Sequence, residues 1–188
     1  MNKLTNYQQT ILYQLIEKVT GGHQQGFSQK KIFVSNVENL MREAGKTFEE
    51  YLDLIGKDPG EFSKFLASVT IHTTSWFREI EHFSILEEKV RERLQAGQSS
   101  FKIWSAAASS GQEAYSIGLV FQSLKSEFPQ LEYKIWGTDI DGLSIEKAKG
   151  GVYPIGELKQ IPKKYAYWVL QGENKAQNFF TIDPEIRL

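Results

Sequence analysis

Between Phe101 and Lys149 the hydrophobic period switches from two residues to about 3.6 and then does so again. Phe101-Lys102-Ile103-Trp104-Ser105-Ala106 alternates as a half-buried strand does, and Tyr115 to Leu124 repeats at helical spacing. Leu131 to Thr138 alternates once more, and a helix is predicted from Gly142 to Lys149. Strand, helix, strand, helix in such close succession implies two parallel strands joined by a right-handed crossover. This half of the chain is therefore α/β, and a ligand is expected beyond the carboxyl ends of the strands.

The preceding residues read as helices only. Tyr7, Ile11, Leu12, Leu15, Ile16 and Val19 recur at helical spacing, and Gly21-Gly22 supplies a stop. A second helix is predicted over Asn36–Ala44. Thr47-Phe48-Glu49-Glu50 is a capping-box pattern opening a third, and Asp58-Pro59 an N-cap followed by proline at the start of a fourth. Thr70–Ser75 reads as a connector, with a helix expected from Trp76 to Leu94. Beyond Gly151 a helix is predicted near Lys163–Leu170 and a strand near Phe179–Ile182. The expected organisation is α + α/β, with a helical domain over residues 1–70 and a second domain over 71–188.

Composition removes several function classes. The 188 residues contain no cysteine, which excludes disulfide scaffolds, thiol nucleophiles, Cys-ligated zinc and iron–sulfur clusters. His23, His72 and His82 lack metal-ligand spacing, so no metal site is expected. A formal net charge of -1 argues against bulk attraction to nucleic acid. No apolar run approaches the roughly 20 residues of a membrane span, so no membrane insertion is expected and a soluble cytoplasmic protein is the expectation.

Two turns carry the candidate chemistry. Ala106-Ala107-Ala108-Ser109-Ser110-Gly111 leads from strand to helix with small side chains throughout, allowing a ligand to approach the backbone. Small residues serve helix–sheet packing equally well, so the loop alone decides nothing. It lacks G-x-G-x-x-G and G-x-x-x-x-G-K-[ST], the usual pyrophosphate cradles, which disfavours an NAD or nucleotide enzyme. In Thr138-Asp139-Ile140-Asp141-Gly142, Asp139 stands at a strand end, where a carboxylate accepts from ribose hydroxyls; Asp141 is expected to cap the next helix. Together the turns suggest an adenosine-containing ligand without a phosphate requirement, which S-adenosylmethionine satisfies. Ser110-x-x-Glu113 matches a capping box, and this pattern favours a cap over a ligand contact for Glu113. Arg78 is a candidate for a ligand carboxylate, or for a surface ion pair with Glu79 or Glu81.

These residues resemble a known family. Thr74-Ser75-Trp76-Phe77-Arg78-Glu79, then His82-Phe83 and Leu86, are similar to the T-x-F-F-R-E…H-F…L signature of CheR-type chemotaxis receptor methyltransferases. Ile103-Trp104-Ser105-Ala106-Ala107-Ala108-Ser109-Ser110-Gly111-Gln112-Glu113 resembles that family's W-S-A-A-C/A-S-T-G-E-E loop, and Gly137-Thr138-Asp139-Ile140-Asp141 with Gly151-Val152-Tyr153 its A-T-D-I-D…G-x-Y stretch. The resemblance implies a helical domain followed by a partial Rossmann-like class I methyltransferase domain. It implies methyl transfer from S-adenosylmethionine, with S-adenosylhomocysteine as product, to glutamate side chains on the cytoplasmic domain of chemoreceptors. His72, Thr74 and Arg78 would lie by the methionine end of the cofactor, Ala108, Ser109, Gly111 and Glu113 along it, and Asp139 on the ribose. The resemblance shifts the reading of Glu113 towards the ligand. It carries no catalytic residue onto this chain.

The sequence departs from the family at His72, where asparagine is common, at Gln112 for glutamate and at Ala114 for proline. The family's N-V-x-I-Y-F-type motif and inserted β-subdomain have no counterpart before Leu188. A short parallel sheet leaves edges and an apolar face uncovered, so the expectation is a fragment of a longer protein, or dimerisation or segment exchange that covers the face. The competing reading is a non-catalytic module that binds S-adenosylmethionine or S-adenosylhomocysteine, or docks a partner.

Overall fold

The computed structural model describes residues 3–21, 30–70 and 73–186. Two compact units emerge, residues 1–71 with 140–143, and residues 72–139 with 144–188.

The first unit is helical: α1 (Asn6–Thr20), α2 (Lys30–Ala44), α3 (Phe48–Lys57) and α4 (Pro59–Val69). Local chemistry sets the starts. Thr47 and Glu50 exchange the side chain–backbone bonds of a capping box at α3, and the Asp58 carboxylate accepts from Gly60 and Glu61 N–H at α4. The α2 helix begins at Lys30 rather than Asn36, because Phe33, Val37 and Met41 form one buried stripe at helical spacing. Those side chains close on Leu12, Tyr51 and Phe65 in the core of this unit.

The second unit begins with α5 (Ile80–Gln95), not at Trp76 as predicted. Phe77 and Glu79 have φ of 49° and 56°, so the backbone here cannot be helical, and Trp76–Glu79 forms a turn instead. Strands β1 (Ser100–Ala106) and β2 (Glu132–Thr138) then pair in parallel, with Ile103 opposite Ile135 and Trp104 opposite Trp136. Between them α6 (Gln112–Glu127) is buried on nearly every side, its Leu119, Val120, Phe121 and Leu124 packing against the inward row of the sheet and α5. Each such side chain, fully buried, contributes about 1.5–3 kcal/mol. The outward row of the sheet is uncovered: Trp104 is 68% exposed and Trp136 47%.

After α7 (Gly142–Gly150) the chain forms a second, antiparallel sheet of β3 (Val152–Pro154), β4 (Val169–Gln171) and β5 (Phe179–Ile182), in the order β3-β5-β4. The helix expected at Lys163–Leu170 is a short 3-10 segment, Lys163–Trp168, that runs into β4. Tyr165 is stacked on Phe77 with ring centroids 4.8 Å apart, and this anchor holds the chain where the β-branched Val169 enters the sheet. Among the described residues, no helix is long and apolar enough to cross a membrane.

Candidate functional site

The carboxyl ends of β1 and β2 are stitched together by their own turns. Ala108 N–H donates to Thr138 carbonyl at 2.9 Å, and Ser109 N–H donates to Asp139 Oδ2 at 2.8 Å. To make these bonds the loop adopts left-handed backbone at Ala107 (φ 61°) and Ser109 (φ 50°), neither of them glycine. Such conformations cost on the order of 1–3 kcal/mol each and persist only where the surroundings impose them, a pattern that concentrates at ligand sites. Gly111 (φ 95°) ends the loop, and a Cβ there would stand 2.9 Å from both Ala148 Cβ and the Tyr153 hydroxyl. Gly137 admits the loop from the other side, since a Cβ on it would meet Ala108 Cβ at 3.0 Å.

Within this strained loop the Ser109 hydroxyl is buried and has no hydrogen-bond partner among the described residues. A buried hydroxyl left in that state is unfavourable by about 1–3 kcal/mol, and a polar ligand atom would relieve it.

Glu113 does not close a capping box. Gly111 is the N-cap of α6 and no side chain caps it. The Glu113 carboxylate instead accepts from Ser105 Oγ at 2.6 Å, which holds it back beside the end of β1. Asp141 is a capping residue as expected, accepting from Leu143 N–H at 3.0 Å.

The Trp76–Glu79 turn, which carries Arg78, packs against the first turns of α6. Phe77 N–H donates to Ser116 Oγ at 3.0 Å, and the buried Trp76 ring lies 4.8 Å edge-on from that of Tyr153. Arg78 projects from this turn between the two left-handed residues, and its Nη1 donates to Thr73 carbonyl at 2.8 Å. The ion pair with Glu79 or Glu81 considered from sequence is absent. Ala108, Ser109, Gly111, Glu113 and Asp139 thus meet at one end of the sheet, with Arg78 on the turn beside the same helix and Thr74 in the segment that precedes the turn. His72 lies outside the described residues.

Several supporting residues escaped the sequence reading. Glu157 accepts from the Trp76 indole N–H at 2.9 Å, and Gln160 from Trp76 N–H at 3.2 Å. Nothing in a polar stretch such as Gly156–Gln160 distinguishes these side chains from solvated ones. Tyr153 donates to the Ser110 carbonyl at 2.7 Å. Burial, reinforced by Tyr115 and by the charge of Glu157, pushes the Tyr153 hydroxyl far above its ordinary pKa, so it stays a donor throughout the working range. Among the described residues no group of three or more His, Asp or Glu side chains could hold a metal ion.

The chain is 29% identical over 180 residues to the chemotaxis protein methyltransferase of Escherichia coli (strain K12), covering 94% of this chain and 59% of that protein. It is 39% identical over 117 residues to chemotaxis protein methyltransferase 2 of Pseudomonas aeruginosa, covering 62% of this chain and 41% of that one. With a probable chemotaxis protein methyltransferase of Rhizobium etli it shares 31% identity over 167 residues, 85% of this chain and 62% of the relative. The chain therefore spans roughly half the length of these curated relatives. The family description "CheR methyltransferase, SAM binding domain" matches residues 72–188, which makes S-adenosylmethionine the cofactor. A strained small-residue loop bonded to a strand-end carboxylate, in a segment matched along its whole length, leaves one assignment: the chain belongs to the CheR methyltransferase family, through its SAM-binding domain.

Proposed function

We propose that the second unit is a Rossmann-like S-adenosylmethionine site, and that the protein methylates glutamate side chains on the cytoplasmic domains of chemoreceptors. The observation that carries this reading is the bond from Ser109 N–H to Asp139 Oδ2, which brings the two candidate turns together at the carboxyl ends of the parallel strands. The relatives' description as chemotaxis protein methyltransferases supports the receptor as substrate.

The residues present fit the cofactor. The unpartnered, buried Ser109 hydroxyl calls for a polar ligand atom, and the alanines around it leave room for a flat adenosyl group. In this reading Asp139 accepts from the ribose hydroxyls, and Ala108, Ser109 and Gly111 line the adenosyl group. Glu113, held by Ser105, places a negative charge where a sulfonium or ammonium is bound. Arg78 offers its remaining N–H groups to the ligand carboxylate.

When bound, S-adenosylmethionine supplies an electrophilic methyl group. The work left to this chain is positional. A glutamate side chain has a reference pKa of about 4.3, so the receptor carboxylate is ionised at neutral pH and needs no residue here to remove a proton. The loop and the Trp76–Arg78 turn orient the donor and exclude water, and in-line alignment of two bound reactants can supply about 7–11 kcal/mol of a barrier. The absence of cysteine is no obstacle to such a reaction.

Calorimetry with S-adenosylhomocysteine and with NAD tests the ligand, and labelled methyl transfer to a receptor cytoplasmic fragment tests the reaction. Binding of S-adenosylhomocysteine alone is expected, weakened by Asp139→Ala. Binding of NAD alone, or indifference to Asp139→Ala, would sink the assignment.

A further inference from the structure

We infer that Glu157 is a positioning residue for the cofactor site, tying the Trp76–Arg78 turn to the Ser109–Gly111 loop. The inference rests on the cofactor reading above and extends it to a residue that makes no contact of its own with the proposed ligand.

Two parts of the proposed site come from segments far apart in sequence, and one carboxylate oxygen joins them. Glu157 Oε2 accepts from Trp76 Nε1 at 2.9 Å across 81 residues and from Gln112 Nε2 at 3.4 Å across 45. Gln112 opens α6 directly after the small-residue loop, and its own Oε1 accepts from Ser110 Oγ at 2.8 Å. A continuous bonded path thus runs from the indole beside Arg78, through Glu157, into the loop.

The turn needs this support. Left-handed backbone at Phe77 and Glu79 flanks Arg78, so its position is imposed from outside rather than by local preference. Ring packing around Trp76 and Phe77 fixes how deeply the turn sits, but apolar contacts are non-directional. Direction comes from the hydrogen bonds. Of these the Glu157 bond is charge-assisted, and its acceptor reaches both halves.

The test compares Glu157→Ala and Glu157→Gln with the parent chain, using S-adenosylhomocysteine affinity by calorimetry and the Trp76 indole N–H proton resonance by NMR. Glu157→Ala is expected to weaken affinity at least ten-fold and to move the indole resonance upfield as its acceptor is lost. Glu157→Gln keeps an acceptor of the same shape, and is expected to restore affinity to within a few-fold of the parent. Gln122→Ala, which removes the Tyr133 acceptor on the far side of α6, serves as the stability control and should leave affinity unchanged. If the parent binds and Glu157→Ala binds equally well, the positioning role is overturned while the cofactor site stands. Weakening that merely tracks melting temperature across all three variants also overturns it. A parent chain that does not bind S-adenosylhomocysteine overturns the cofactor reading and this inference together.

Discussion

Ser109 and Asp139, 30 residues apart in sequence, are joined by a 2.8 Å bond from the backbone N–H of one to the carboxylate of the other. The carboxylate therefore has a structural task, holding the loop in its left-handed form, beside the ribose contact proposed for it. Both tasks need an acceptor at the end of β2.

Asp139→Ala should lower S-adenosylhomocysteine affinity by roughly 10- to 100-fold, the worth of about 1.5–3 kcal/mol for hydrogen bonds to a charged group. Asp139→Asn retains one acceptor oxygen and should lose less. Calorimetric titration of both variants measures the difference, and a loss no greater for Ala than for Asn would argue against direct acceptance.

Gly111→Ala meets two obstacles, a φ of 95° and a Cβ placed 2.9 Å from Ala148 Cβ and Tyr153 Oη. Destabilisation of about 2 kcal/mol or more is expected, since strain and overpacking add. A Cβ on Gly142 would meet nothing within 4 Å, so Gly142→Ala is the neutral comparison. Urea denaturation midpoints decide, and equal midpoints for the two variants would refute the packing argument.

Glu87 predicts how stability responds to acid. Burial alone would raise its pKa, but hydrogen bonds from Lys164 Nζ at 2.6 Å and the Tyr165 hydroxyl at 2.9 Å, with the Lys164 and Arg91 charges, hold it below the ordinary value. A lowered folded-state pKa means the contribution is present above the unfolded value, about 4.3, and is lost as pH falls through the folded one. Lys164 is 56% exposed, so solvent screening limits the contribution to about 0.5–1 kcal/mol. In Glu87→Gln the melting temperature should drop at pH 7 and fall less steeply than the parent's between about pH 5 and 3. Parallel curves would show that this carboxylate does not titrate as described.

Trp104 and Trp136 stand opposite each other on the open face of the parallel sheet, at 68% and 47% exposure. An exposed aromatic pair of this kind is a candidate contact surface between copies of the chain. The double variant Trp104→Ser, Trp136→Ser should bind the dye ANS more weakly and sediment with less concentration dependence. Should it behave as the parent does in both assays, this face plays no part in self-association.

The periodicities of Phe101–Ala106 and Leu131–Thr138 were enough to read both parallel strands and the helix between them. Thr47 and Asp58 marked two helix starts because capping is local, decided within three or four residues. The sequence was less informative where distant neighbours override local preference. Helical spacing from Trp76 onward was misleading because Phe77 and Glu79 are forced left-handed by what Trp76 and Phe77 bury against. The capping-box pattern at Ser110–Glu113 was misleading too, because Ser105 on β1 takes the Glu113 carboxylate. The small antiparallel sheet was mostly invisible, its strands of three and four residues being too short for periodicity to register.

The α/β order, the caps at Thr47, Asp58 and Asp141, the small-residue loop and the carboxylate at the end of β2 were all legible in the residues alone. Each of these depends on side chains a few positions apart. That Ser109 and Asp139 bond to each other, that Glu113 turns back to Ser105, and that Glu157 joins Trp76 to Gln112 became visible in the folded chain alone. Those are contacts between distant segments, and a hydrogen bond exists only once packing has brought donor and acceptor to about 3 Å in the right direction.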